Sequence, residues 1–140
     1  MSKPIQLGDT SIHRVLDHIG NGFDPLQFFP TLGKERLDEN RSGLEPVYLE
    51  KGSGKLRLAN QSYVIKTPRL TILVDTCVGN DKPRPARPFW HMQTGDQYQK
   101  ALAGAGVTAA DIDIVMCTHL HVDHVGWNTK LENGRWVPTF

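Results

Sequence analysis

The stretch Ile112-Asp113-Ile114-Val115-Met116-Cys117-Thr118-His119-Leu120-His121-Val122-Asp123-His124 decides how this chain is read. Its first half is apolar and β-branched, the pattern of a buried strand. Its second half places three histidines and an aspartate within six residues. An extended chain sends alternate side chains to one face, so His119 and His121 are expected to point the same way at the strand's end and to share one metal ion. If the backbone then turns into a helix, Asp123 and His124 swing toward a second position a few Å away, the arrangement a bridging hydroxide requires. On the same alternation, Leu120 and Val122 are expected to face away from the metals and pack.

A single histidine on an apolar strand is usually a satisfied core residue, but packing does not account for this set. Burying the four side chains unpaired would cost several kcal/mol. Neutral imidazoles and a carboxylate around a dication remove that penalty, because each lone pair is used and the charges cancel. Other folds with a His-x-His pair fit less well. A cupin wants a glutamate a few residues later, where this chain has Asp123-His124 and no glutamate before Glu132. An amidohydrolase barrel carries the pair at the end of its first strand, whereas here more than a hundred residues come first.

Working outward, Thr108-Ala109-Ala110-Asp111 predicts a single capped turn. Before it, Asp96 can cap a helix whose buried face repeats at Tyr98, Ala101, Leu102 and Ala105 and which Gly104 and Gly106 stop. Residues 77–91, rich in Pro, Gly and aromatics, read as loop over the surface. Residues 56–66 and 70–74 flank the Thr67-Pro68-Arg69 break as a hairpin, and a second hairpin is expected around Asn133-Gly134. Residues 4–19 predict two short strands about the Gly8-Asp9 turn, and residues 21–45 a long connection with one or two helical turns. Helix followed by strand implies α/β layering.

Composition sets the bounds. The chain has 140 residues, 39% hydrophobic and 22% charged, enough for one domain with a core. A formal net charge of +1 argues against a nucleic-acid partner. The basic run 82–87 is interleaved with prolines and reads as a rigid loop rather than an anion patch. Cys77 and Cys117 make no disulfide framework, so a cytoplasmic location is expected, with neither signal peptide nor membrane span. Cys77 reads as a small buried apolar group rather than a ligand or nucleophile. His91, beside Phe89 and Trp90, lines a pocket or belongs to an aromatic plug, and His13 and His18 carry no ligand spacing.

The run His119-x-His121-x-Asp123-His124 after an apolar strand resembles the metallo-β-lactamase superfamily of metallo-hydrolases. Leu73-Val74-Asp75-Thr76 resembles that family's upstream strand ending in an aspartate, and Gly126 closes the turn after the ligands. The resemblance implies an α/β (α+β) fold, half of an αββα sandwich with a mainly antiparallel or mixed sheet and flanking helices. Residues 1–140 would be the N-terminal portion of one such domain. It also implies a binuclear hydrolase with His119, His121, Asp123 and His124 as ligands of two divalent ions, zinc first and iron, manganese or cobalt as alternatives. A metal-bridging hydroxide would act on a small-molecule ester or lactone, with Asp123 orienting it and passing a proton to the leaving group. Asp75 either orients a ligand by an outer hydrogen bond, as the resemblance implies, or ends a strand and caps the next turn.

Family members draw further histidines and an aspartate from later strands, whereas no histidine follows His124 and no aspartate follows Asp123. Two protein ligands per metal fall below the usual three plus water, so weak affinity is expected, as is a truncated domain or one completed by its missing C-terminal half or a second copy in a homodimer. The loop 77–84 and Trp127-Asn128 look similar to the lactonase-like branch. The competing expectation is a metal-binding fragment or interaction module without turnover.

Overall fold

Alternation of apolar and polar residues about a glycine turn sets the first edge of the sheet. The computed structural model describes residues 3–140. Strands β1 (Ile5–Leu7) and β2 (Thr10–Phe23) pair antiparallel, Ile5 opposite Ile12. β2 has 14 residues, far longer than the short strand expected. β3 (Leu56–Lys66) and β4 (Thr71–Val74) form the expected hairpin, Lys66 opposite Thr71. The Thr67 side chain closes the turn by accepting from Leu70 N at 2.9 Å.

β5 (Ile114–Met116) lies parallel to β4, Ile72 opposite Ile114, giving a five-stranded mixed sheet in the order β1-β2-β3-β4-β5. β6 (Thr129–Glu132) and β7 (Arg135–Pro138) make a separate hairpin. Its turn residues Asn133 and Gly134 both take positive φ, 51° and 76°, as a two-residue turn matched to strand twist requires. This mixed sheet with few helices is the α/β architecture expected.

Two compact units divide the chain, Met1–His18 with Asn60–Phe140, and Ile19–Ala59. The second holds α1 (Pro25–Phe28) and α2 (Lys34–Leu44). Asp24 Oδ1 caps α1, accepting from Leu26 N at 2.8 Å. α2 has no side-chain N-cap and an almost wholly polar sequence, and buries Leu37 alone. Its exposed face carries i,i+3 and i,i+4 pairs, including Lys34 with Asp38 and Arg41 with Glu45, worth a few tenths of a kcal/mol each.

The first unit contains the core. A parallel pair needs a crossover, and here the crossover carries α3 (Gln97–Gly104). The spacing of Tyr98, Leu102 and Ala105 buries one face of α3 against Val15, Val64 and Leu73 of the sheet, with Trp127 stacked on Tyr98 at 5.4 Å. Asp96 sits at the N-cap of α3, yet its side chain makes no cap bond and pairs with Lys100 at 2.9 Å instead. The turn after α3 has the expected capping box of Thr108 and Asp111.

Two expectations need correction. Residues 77–91 do not all lie over the surface: Cys77 and Val78 are buried, because this segment packs beneath the histidine run. Residues 112–117 are not a fully buried strand either. β5 covers only three residues and is an edge of the sheet, leaving Ile114 and Met116 exposed at 40% and 54%. No helix among the described residues is long and apolar enough to cross a membrane.

Gly79 and Gly126 bring two backbone segments together so closely that a Cβ on Gly126 would overlap the carbonyl of Val78. Gly126→Ala is therefore expected to lower unfolding free energy by roughly 3 kcal/mol or more. Gly43→Ala, inside α2 with open space around it, is expected to raise it by up to about 1 kcal/mol. Urea denaturation checks both; equal behaviour of the two variants would contradict the close approach.

Candidate metal centre

After Met116 the chain leaves the sheet, and residues 117–125 form bends and turns. The histidines thus stand on a loop, not on a strand end followed by a helix. Strand alternation fails there, and Leu120 and Val122 do not pack but lie exposed at 81% and 44%.

The segment after β4 shapes this loop. Asp75 N donates to Met116 O at 2.7 Å and Thr76 N to His124 O at 2.8 Å. In return, Gly126 N donates to Cys77 O and Trp127 N to Thr76 O, both at 2.8 Å. To present these groups, Asp75 and Cys77 adopt φ of 60° and 48°, a region that costs a residue bearing Cβ about 1 kcal/mol or more. The Thr76 hydroxyl shares its one proton between Asn128 Oδ1 at 2.9 Å and His124 O at 3.2 Å.

Asp75 is buried, so its carboxylate must find donors inside the protein. Oδ1 accepts from Thr118 N at 2.8 Å, and Oδ2 from the Thr118 hydroxyl and His124 Nδ1, both at 2.9 Å. Burial alone would raise its pKa, but the bonds from His124 and Thr118 outweigh it and hold the carboxyl below its ordinary value.

These bonds also fix protons. A carboxylate has none to give, so His124 carries a proton on Nδ1, which in the neutral ring leaves a lone pair on Nε2. The Thr118 hydroxyl spends its one proton on Asp75; its 3.0 Å contact with His119 Nδ1 must then be donated by the ring. His119 likewise keeps Nε2 as an acceptor.

The imidazoles cluster. Ring centroids of His119 and His121 lie 4.7 Å apart and those of His119 and His124 3.9 Å apart, while Asp123 Oδ2 is 3.5 Å from His124 Nε2. Among the described residues, however, no three His, Cys, Asp or Glu side chains converge so as to hold a metal ion. The loop therefore fits a divalent cation in donor chemistry and adjacency, with imidazole nitrogens and one carboxylate side by side, but the donors do not converge as a trio. The other histidines stay apart: His13 bonds Ser11, His18 bonds Asn60, and His91 Nδ1 accepts from Arg84 N.

Sequence reading overlooked Thr118, Thr76 and Arg84. A hydroxyl residue directly before the first histidine was the available sign of the first. The alternation Lys82-Pro83-Arg84-Pro85, which turns both cations to one side of an extended segment, was the sign of the last.

A family model described as the metallo-beta-lactamase superfamily matches residues 57–140. Among solved structures, AidC, a dizinc quorum-quenching lactonase in complex with the product N-hexnoyl-L-homoserine, is similar at 26% identity and a TM-score of 0.65, over 89% of this chain and 37% of that one. The hydrolase AbOPH of the beta lactamase superfamily shares the fold at 22% identity and a TM-score of 0.65, over 87% and 37%. So does a probable metal-dependent hydrolase from Staphylococcus aureus, at 24% identity and a TM-score of 0.61, over 86% and 41%. This chain thus spans well under half the length of these structures. No curated protein matches it.

Cys77 sits beneath the loop, its sulfur 3.2 Å from Ser62 Oγ, which in turn lies 3.0 Å from the Tyr98 hydroxyl. Burial pushes the thiol up to about 12, Ser62 only partly opposing it. It is therefore protonated and inert at neutral pH, as expected of a buried apolar group. A disulfide reagent at pH 8 is expected to leave Cys77 unmodified in the folded protein and to label it on unfolding, as read by peptide mass spectrometry; labelling of folded protein would contradict its burial.

Proposed function

The chain belongs to the metallo-β-lactamase superfamily, and from that membership and the loop geometry we propose that it carries part of the site of a divalent-metal hydrolase for a small-molecule ester or lactone. His119 and His121 would hold one cation and Asp123 and His124 contribute to another, the remaining ligands coming from outside these residues. Zinc is the first choice for this donor set, with iron, manganese or cobalt as alternatives. A cation bound there would supply Lewis acidity and bring the pKa of water down toward neutrality.

One observation carries the reading. Asp75 and Thr118 occupy Nδ1 of His124 and His119, so the basic Nε2 atoms are fixed before any ligand arrives. An outer carboxylate that sets an imidazole's tautomer and angle is what a metal-ligating histidine needs. Asp123, half-buried beside His124, would orient the attacking water and return its proton to the leaving oxygen. The lactone preference is supported by the likeness to AidC, a protein described as a lactonase, and by the loop 77–84 with Trp127-Asn128.

A second reading is a metal-binding module without turnover, in which adjacent donors that do not converge as a catalytic trio among the described residues hold a cation only weakly. Equilibrium dialysis against zinc separates the readings when paired with a panel of lactones and esters followed by pH indicator. Once the outside ligands are supplied, by a longer chain or a second copy, the hydrolase reading predicts bound metal, with turnover that chelation abolishes and Asp123→Ala lowers by at least about 100-fold. Bound metal without turnover supports the module. Zinc uptake no greater than that of a variant lacking all four side chains would end both.

A further inference from the structure

The basic run that reads as a rigid loop hides a fastening. Pro83 and Pro85 are exposed while Lys82 and Arg84 turn inward. The segment is tied to itself by Asp81 N to Gln93 O at 2.9 Å, Met92 N to Lys82 O at 3.0 Å, and Arg84 N to His91 Nδ1 at 2.8 Å. Lys82 anchors it to β6, donating to Thr129 O at 3.0 Å with its ammonium 3.8 Å from the Trp136 ring centroid.

From this fixed base, Arg84 Nη2 donates to Val78 O at 2.8 Å and Val122 O at 3.2 Å. Those carbonyls belong to the two segments that meet at the candidate site: Val78 follows Cys77, and Val122 precedes Asp123. Two hydrogens on one nitrogen thus join the supporting segment to the loop. Nη1 is buried, with no hydrogen-bond partner among the described residues. Burial lowers the guanidinium's pKa while the charge of Asp123 raises it, so the field of that carboxylate reaches Arg84.

We infer that Arg84 is a positioning residue, clamping the turn that bears Asp123 onto the Val78 carbonyl and so holding the loop in a shape ready for metal. For its bearing on metal, the inference rests on the reading of the loop given above. Lysine also carries more than one donor on its terminal nitrogen but is shorter and lacks the rigid guanidinium plane, so it would keep the link only in part.

Hydrogen exchange on the metal-free protein, alongside cobalt(II) titration followed by visible absorption, tests the clamp in Arg84→Met and Arg84→Lys. In Arg84→Met, amides of residues 118–125 are expected to exchange at least roughly tenfold faster while those of Val64 and Leu73 keep their rates. Cobalt affinity is expected to fall by about 10- to 100-fold, with part of both effects restored in Arg84→Lys. Unchanged loop amides, or an equal rise across the whole sheet, would overturn the clamp. If the parent protein gives no cobalt spectrum, the metal reading of the site fails, and the exchange rates still decide the role of Arg84.

Discussion

A buried carboxylate that must be given donors organises this protein. Asp75, at the end of β4, takes the amide and hydroxyl of Thr118 and the Nδ1 proton of His124. Leaving it unpartnered would cost several kcal/mol. The cheapest way to supply donors is to fold the histidine loop around it. The loop's shape follows from solvation of one group rather than from strand geometry, which is why an irregular segment of exposed residues is held at all.

Meeting that demand has consequences along the chain. Asp75 and Cys77 take left-handed backbone angles so that alternating groups of the segment face the loop. The approach is tight enough that Gly79 and Gly126 have no room for a Cβ. The parallel pairing of β4 and β5 brings Asp75 and Thr118 to the same end of the sheet, and the core between the sheet and α3 keeps both strands in register. Fold and site are thus linked through one short segment, and a change in either is expected to be felt in the other.

Much of this was legible in the sequence, for identifiable reasons. The β3–β4 and β6–β7 hairpins and the buried face of α3 are local patterns, where turn chemistry and side-chain period act on neighbouring residues. The histidine run and Leu73-Val74-Asp75-Thr76 were visible as motifs. The local geometry of the run was not. A period-two reading assumes a strand, and the strand stops at Met116, after which the Asp75 carboxylate takes the Thr118 amide and Thr76 N donates to His124 O in place of further ladder bonds. Partners such as Thr118 with Asp75 or Arg84 with Val122 lie 43 and 38 residues apart, and no local rule joins residues at that distance. The length of β2 was missed for a related reason: its polar residues are held by the sheet's pairing and not by an alternation of their own.

The central claim is that Asp75 and Thr118 set the protons of His124 and His119 before any metal binds. A long-range proton–nitrogen correlation spectrum of the metal-free protein, recorded where the imidazoles are neutral, reads this directly. The account predicts that both rings show the Nδ1–H tautomer, and that His124 loses this preference in Asp75→Asn. Nε2–H tautomers, or an averaged pattern for both rings in the unmodified chain, would contradict it.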